Sequence, residues 1–155
     1  MQLRAYLPAD KGAMVRLFGD PLVMRFASTG APLKRRHAEL LFDKIFEVYR
    51  SDPQFHVWAV EENGAYVGHA ELKRRSGRAE YELVYFLARE VWRHGLGGRV
   101  VDRLLEEARA YELPFVIATV DERNAASLAI LRRRLFVFDE RLTKELDAPA
   151  YRRDL

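Results

Sequence analysis

The sequence predicts one mixed α/β (α+β) domain, residues 1-155, in which a mostly antiparallel sheet of six to seven strands is flanked by about four helices. Its length of 155 residues suits a single compact unit. Stretches with helical spacing of apolar residues alternate with short stretches typical of strands. Asn63-Gly64 joins two strands as a hairpin, whereas a helix separates two later strands, so the sheet must mix antiparallel and parallel pairs.

The first part of the chain predicts a short strand at Leu3–Tyr6 and two helices. Asp10 is a good N-cap for the first helix, which ends before Pro21 because the residue preceding proline is disfavoured in helical space. Its apolar face consists of Met14, Leu17 and Phe18. The apolar stripe of the second helix is formed by Ala38, Leu41, Phe42, Ile45, Phe46 and Tyr49.

The middle of the chain changes period and predicts an antiparallel meander. Its strands are His56–Glu61, Tyr66–Arg74 and Ala79–Leu87. The turns between them are Asn63-Gly64 and Ser76-Gly77, both of which are typical of tight hairpins.

The last part predicts a crossover helix, a buried strand at Phe115–Val120, a helix at Asn124–Arg134, and closing strands at Phe136–Asp139 and Thr143–Leu146. The crossover helix carries one apolar face, formed by Leu96, Val100, Val101, Leu104, Leu105 and Ala108. A helix between Ala79–Leu87 and Phe115–Val120 allows those two strands to pair in parallel.

Composition excludes several classes of function. The 26 basic residues, 21 of them arginine, are interspersed with 23 acidic ones, which disfavours a nucleic-acid-binding surface. Without cysteine there is no disulfide, thiolate nucleophile or cysteine-bound metal, and the four histidines lack metal-ligand spacing. No apolar run reaches the roughly 18 residues of a membrane span, and no signal-peptide core is present, so we expect a cytoplasmic protein.

A glycine-rich turn between the third meander strand and the crossover helix predicts an anion site. Glycines at 95, 97 and 98 allow a ligand to approach the backbone, and a helix N-terminus offers unpaired N–H groups. The arginines around the turn are Arg89, Arg93 and Arg99. A pyrophosphate would suit this turn, although it matches neither the dinucleotide fingerprint nor the P-loop. A simple tight turn with helix capping is the alternative.

Together, several segments resemble the GNAT superfamily of acyl-CoA-dependent N-acetyltransferases, in particular the branch that contains the ribosomal-protein N-terminal acetyltransferases. These segments are Asp20-Pro21-Leu22-Val23, Trp58-Ala59-Val60, Tyr66-Val67-Gly68, Glu82-Leu83-Val84-Tyr85-Phe86-Leu87, Trp92-Arg93-His94-Gly95-Leu96-Gly97 and Asn124-Ala125-Ala126-Ser127. The departures from the pattern are Leu131 for a common tyrosine general acid, Leu135 and Val84 for common glycines, and Trp92 for glutamine or arginine.

The resemblance implies a set of site residues. Glu82 would be the general base, with Glu80 in reserve, although strand alternation alone would place both on an exposed face. Ser127 would hydrogen-bond the leaving sulfur and Asn124 the pantetheine chain, although both residue types are also common helix caps. The thioester carbonyl would accept from backbone N–H groups of Phe86, Leu87 and Ala88. The pyrophosphate would be held by Arg93, His94, Gly95, Leu96, Gly97, Gly98 and Arg99.

The resemblance therefore implies direct transfer of an acetyl group from acetyl-CoA to a primary amine, in a ternary complex and without a metal. A protein or peptide N-terminus is the first acceptor class and a small-molecule amine the second, with the first two helices and residues 27–34 walling the acceptor pocket. Neither nucleic acid nor membrane is an expected partner, and the protein would be a monomer or homodimer. A CoA-binding module without catalysis is the main alternative, suggested by Leu131 and Leu135; a small basic nucleic-acid binder is a weaker one.

Overall fold

The computed structural model describes residues 1–27, 29–51, 56–74 and 80–155, and these form a seven-stranded sheet with five helices. The strands are β1 (Gln2–Arg4), β2 (His56–Glu62), β3 (Ala65–Arg74), β4 (Tyr81–Leu87), β5 (Phe115–Thr119), β6 (Val137–Phe138) and β7 (Ala150–Asp154). The helices are α1 (Lys11–Gly19), α2 (Arg35–Ser51), α3 (Leu96–Ala110), α4 (Ala125–Arg133) and α5 (Glu140–Leu146).

The strand order in the sheet is β1-β2-β3-β4-β5-β7-β6, and among the strands of the described residues β4/β5 is the one parallel pair. The mixed, mostly antiparallel sheet is therefore confirmed. The β2/β3 hairpin turns at Asn63 and Gly64, whose φ angles of 52° and 78° are those that the Asn-Gly pair tolerates. The second predicted turn, Ser76-Gly77, lies outside the described residues.

Two apolar layers cover the two faces of the sheet. One layer packs α3 and α4 against residues such as Leu83 and Leu87 of β4, and we call this side the α3/α4 face. The other packs α1 and α2 against residues such as Phe86, and we call it the α1/α2 face. A smaller cluster holds α5 against β5 and β7 through Ile117 and Leu142. No helix in the described part of the chain is both long and apolar enough to cross a membrane.

Two predictions at the ends of the chain are wrong. Thr143–Leu146 is the end of α5 rather than a strand. The Asp139 carboxylate caps the first turn of this helix by accepting from the Leu142 N–H at 2.9 Å. The closing strand is β7. Asp10 precedes α1 as expected but does not cap it: its carboxylate accepts from the Leu7 N–H and binds the Arg4 guanidinium.

Candidate active site

β4 and β5 have one registered pair, Glu82 opposite Ile117, and their ladder does not continue along β4 beyond it. We call the space between the two strands beyond this pair the gap. From Leu83 to Leu87, β4 remains paired with β3. The Ala88 N–H donates to the Val67 carbonyl at 2.9 Å, and backbone groups alternate sides in an antiparallel ladder. The N–H groups of Tyr85 and Leu87 therefore face the gap, which exposes the edge of β4 to a ligand lying between the strands.

This alternation selects among the backbone donors predicted at Phe86, Leu87 and Ala88. The Ala88 N–H is used by Val67, and the Phe86 N–H points the same way, toward β3. Leu87 keeps its N–H on the gap side, while its carbonyl accepts from the Trp92 indole at 2.8 Å. Trp92, at the position of the family's glutamine or arginine, thus fixes the end of β4 beside the gap.

Glu82 lies on the α1/α2 face at the closed end of the gap. Its side chain is buried, with 7% of the residue exposed, so strand alternation alone is a wrong guide to this residue. The neighbouring Thr119 hydroxyl on β5 donates to the Glu82 carboxylate. The reserve candidate, Glu80, precedes β4 and is only half-buried. A buried carboxylate bordering an opening between strands is suited to accepting a proton.

A hydroxyl pair lies on the opposite, α3/α4 face. The Tyr85 hydroxyl is 3.2 Å from the Ser127 hydroxyl, and burial raises the pKa of Tyr85. Asn124 caps α4, since its side-chain oxygen accepts from the Ser127 N–H at 3.2 Å. The site predicted from the sequence does not include Tyr85. The spacing of three residues between Glu82 and Tyr85 nevertheless predicts that their side chains lie on opposite faces of the strand.

The glycine-rich turn presents unpaired backbone donors next to this pair. Arg93 and Gly95 have φ angles of 64° and 73°, and α3 begins at Leu96 without a side-chain cap. The first N–H groups of a helix have no intrahelical acceptor, so those of Leu96, Gly97 and Gly98 are available to an anion. A Cβ on Gly97 would approach the Ile130 Cδ1 to 2.9 Å, so this glycine also allows α4 to pack closely.

The three arginines around the turn differ in their partners. Arg89 is paired with Asp20 at 2.8 Å, and Arg99 with Glu62 at 2.7 Å. Arg93 and its neighbour His94 are exposed, and within the described ranges no carboxylate pairs with Arg93. Arg93 is therefore the free guanidinium of the predicted set.

Buried polar groups also connect the elements of the α1/α2 face. The Tyr6 hydroxyl is 2.8 Å from the His69 Nδ1 and 3.2 Å from the Tyr66 hydroxyl. Glu71 lies 3.5 Å from the other ring nitrogen of His69. This network orders the strands behind Phe86. In the described part of the chain, no three histidine, aspartate or glutamate side chains are grouped as metal ligands would be.

Two residues that depart from the family pattern lie within α4 and directly after it. Leu131 is buried in the core between α3, α4 and the sheet. Leu135 has a φ of 59° and ends the helix: its N–H donates to the Arg132 carbonyl, and the Phe136 N–H to that of Leu131. This pair of bonds is a Schellman motif, whose left-handed position is usually glycine.

Comparisons with known proteins identify the family and the fold of the chain. The sequence model of the family described as Acetyltransferase (GNAT) domain matches residues 1–136. No curated protein sequence matches the chain. A ribosomal-protein-alanine N-acetyltransferase from Brucella melitensis superimposes with a TM-score of 0.75 at 21% identity, over 100% of both chains.

Two further solved structures share the fold at similar distance. An acetyltransferase from Agrobacterium tumefaciens has a TM-score of 0.80 at 18% identity, over 99% of this chain and 90% of that one. A phosphinothricin acetyltransferase from Sinorhizobium meliloti, solved with acetyl-CoA, has a TM-score of 0.73 at 17% identity, over 99% and 88%. At these identities the structural similarity supports the fold.

Proposed function

Since the chain belongs to the GNAT acetyltransferase domain family, we propose that it transfers an acetyl group from acetyl-CoA to a primary amine, either a protein or peptide N-terminus or a small-molecule amine. The observation that carries the proposal is the placement of polar groups on both sides of one gap. Glu82 and Thr119 border it on the α1/α2 face, and Tyr85 and Ser127 on the α3/α4 face. The open edge of β4 lies between them.

The α3/α4 face suits the cofactor. The pyrophosphate would lie on the N–H groups of Gly95–Gly98, with Arg93 and His94 beside it. The pantetheine chain would then run along the edge of β4 past Asn124, whose side-chain oxygen caps α4 and whose amide nitrogen would donate to it. Arg99 contributes less than the sequence predicts, because Glu62 holds its guanidinium.

The reaction needs a neutral amine, a stabilised oxyanion and a protonated leaving group. The amine nitrogen attacks the thioester carbon, and the Leu87 N–H donates to the carbonyl oxygen as negative charge grows there. Five residues of strand, about 16 Å, separate Leu87 from Glu82. The amine proton therefore reaches the Glu82 carboxylate through water in the gap.

The leaving thiolate is protonated on the other face. When the carbon–sulfur bond breaks, its electron pair goes to sulfur, which takes a proton from the Ser127 hydroxyl. Ser127 in turn takes a proton from Tyr85, which regains one from solvent. The raised pKa of Tyr85 keeps the phenol protonated before transfer. This pair supplies the proton that Leu131 cannot.

Calorimetric titration with acetyl-CoA tests the cofactor half of the proposal. We expect micromolar binding to the folded protein, freed of co-purified CoA, and about tenfold weaker binding to Arg93→Ala, since a charge-assisted contact is lost. Arg103→Ala is the matched control, because Arg103 is bound by Glu106 and Glu107 on α3. No binding by the folded protein would overturn the proposal.

A screen of amine acceptors tests the transfer half, with released thiol as the signal. Acetylation of an amine that falls in Glu82→Gln would support the enzyme. Tight acetyl-CoA binding without transfer to any amine would instead favour the CoA-binding module. Binding to nucleic acid that falls steeply with salt and ignores acetyl-CoA would favour the third alternative.

A further inference from the structure

A cavity of about 580 Å³ opens on the α1/α2 face, and Arg89 and its partner Asp20 belong to its lining. Its walls come from the end of α1, the loop after it, the start of α2 and the turn after β4. The polar lining consists of Arg16, Asp20, Arg35 and Arg89. Val15, Leu22 and Leu33 supply an apolar wall, so the cavity can accept both a charged group and a hydrocarbon chain.

The cavity adjoins the open end of the gap. Arg89 is the second residue after Leu87, and its guanidinium reaches Asp20 on the loop after α1 at 2.8 Å. Phe18 of α1 packs on Phe86, with ring centroids 5.3 Å apart. Because the glycine-rich turn directs the cofactor to the other face of the sheet, an amine entering from this face arrives through the cavity.

The lining charges are unbalanced. Asp20 neutralises Arg89, and its other oxygen accepts from the Leu22 N–H at 2.8 Å. The Arg35 guanidinium is paired at 2.8 Å with Glu39, which lies one helical turn away and outside the lining. Arg16 is exposed, and in the described part of the chain no carboxylate pairs with it. The cavity therefore carries a net positive charge.

From these charges we infer that the acceptor is a primary amine carrying an acidic group, a carboxylate or phosphate, which binds chiefly Arg16, with the Glu39-paired Arg35 in a lesser role. An amine without an acidic group enters protonated, against the positive field, so the cavity disfavours polyamines and lysine-rich peptides. Guanidinium groups bind carboxylates and phosphates through paired hydrogen bonds, which would also orient the amine toward Leu87. This inference rests on the proposed acetyl transfer and names its substrate class.

Matched acceptors test it. Three C-terminally amidated tripeptides that differ only in a glutamate, glutamine or lysine at the second position are compared by kcat/KM, with thiol release as the signal. Phosphoethanolamine and ethanolamine form a second pair, which separates a phosphate from a carboxylate as the group bound. We expect the acidic member of at least one set to be preferred about tenfold over its neutral partner, and less so in high salt.

Charge reversal identifies the groups responsible. Arg16→Glu should abolish the preference for the acidic acceptor and favour the lysine peptide, whereas Arg35→Glu should weaken the preference, because Arg35 is already paired with Glu39. Arg103→Glu makes the same charge change on α3, away from the cavity, and should preserve the order of acceptors. Circular dichroism and acetyl-CoA affinity confirm that each variant is folded and loaded.

The outcomes separate this inference from the proposed function. Equal kcat/KM values across each set, no transfer to any of the five acceptors, or the same order of acceptors in Arg16→Glu as in Arg103→Glu would overturn the inference. Any of these results would leave the proposed function standing if acetyl-CoA still binds and another amine is acetylated. Failure of the folded protein to bind acetyl-CoA would instead remove the proposed function itself.

Discussion

The two faces of the central sheet present different chemical groups to the same gap. On the α3/α4 face the interior is mostly apolar, with Val100 and Leu104 fully buried and His56 its buried polar residue among those described, and the cofactor is offered mainly backbone N–H groups. On the α1/α2 face, polar side chains such as Asp10, His69 and Glu82 are buried among the apolar ones. A ligand that is bound by backbone N–H groups tolerates many different side chains in the protein. A ligand that is bound by side chains depends on the identity of each residue.

This difference explains which parts of the site the sequence predicts. The glycine-rich turn at residues 93–98 and the hairpin at Asn63-Gly64 depend on local φ angles, and local sequence reveals them. The contact between Tyr85 and Ser127 joins residues 42 positions apart, so no short motif contains it. The arginine-lined cavity likewise gathers side chains from α1, α2 and the turn after β4.

The fold shows the same division. Long amphipathic segments such as α2 and α3 are found where the pattern predicts them. The end of the chain is misread, because a seven-residue helix with apolar positions at Leu142 and Leu146 is too short to show a period. Its identity is set by the Asp139 cap and by packing against β7, which depend on the three-dimensional structure.

The largest expected effect comes from Glu82→Gln, which removes the proton acceptor of the α1/α2 face while preserving its shape. We expect kcat/KM to fall about 100-fold, with acetyl-CoA affinity unchanged. The exposed Glu112→Gln is the matched control. A variant that loses thermal stability but keeps the rate and the pH profile would show that Glu82 serves only to bind Thr119.

The polar interior of the α1/α2 face also predicts acid sensitivity. Burial alone would raise the pKa of Asp10, but Arg4, at 2.7 and 3.0 Å, and the Leu7 N–H outweigh it and hold that pKa below its usual value. Asp10→Asn should therefore lower the free energy of unfolding by about 2 kcal/mol at neutral pH.

The difference between the wild type and Asp10→Asn should depend on pH in one direction. A carboxylate with a lowered folded-state pKa stabilises above its unfolded pKa, so the difference persists above about pH 4 and shrinks as pH falls further. Denaturant titrations from pH 7 to pH 3 measure it. A difference that stays constant over this range would mean that the charge of Asp10 is not what stabilises the fold.

Removing the hydroxyl of the α3/α4 face should have a smaller effect than removing Glu82. Tyr85→Phe keeps the ring over Gly97 and should lower kcat about tenfold while leaving KM for the acceptor unchanged. Ser127→Ala should cost a similar factor, and the double variant little more, because the two hydroxyls act in one relay. Rate losses that multiply in the double variant would contradict the relay.

The smallest expected effect tests whether backbone conformation limits the α3/α4 face. Leu135 holds the left-handed position of the Schellman turn after α4, with 71% of its surface exposed, so its side chain adds little packing. Leu135→Gly relieves the left-handed strain but gives the unfolded chain more freedom, and the two effects oppose each other. Because the strain is the larger of the two, we expect a gain of about 1 kcal/mol, or about 3 °C in Tm.

Leu135→Ala separates the strain from the exposed side chain. Alanine removes the apolar surface yet retains a Cβ at positive φ, so its stability should stay close to that of the wild type. The glycine variant should unfold at a higher urea concentration than the alanine variant. The slope of the unfolding free energy against urea concentration should be the same for both variants. If alanine stabilises as much as glycine, the exposed leucine side chain itself is what lowers the stability of the wild type. The end of α4 would then be limited by a side chain, as the α1/α2 face is, and the contrast between the two faces would not extend to this turn.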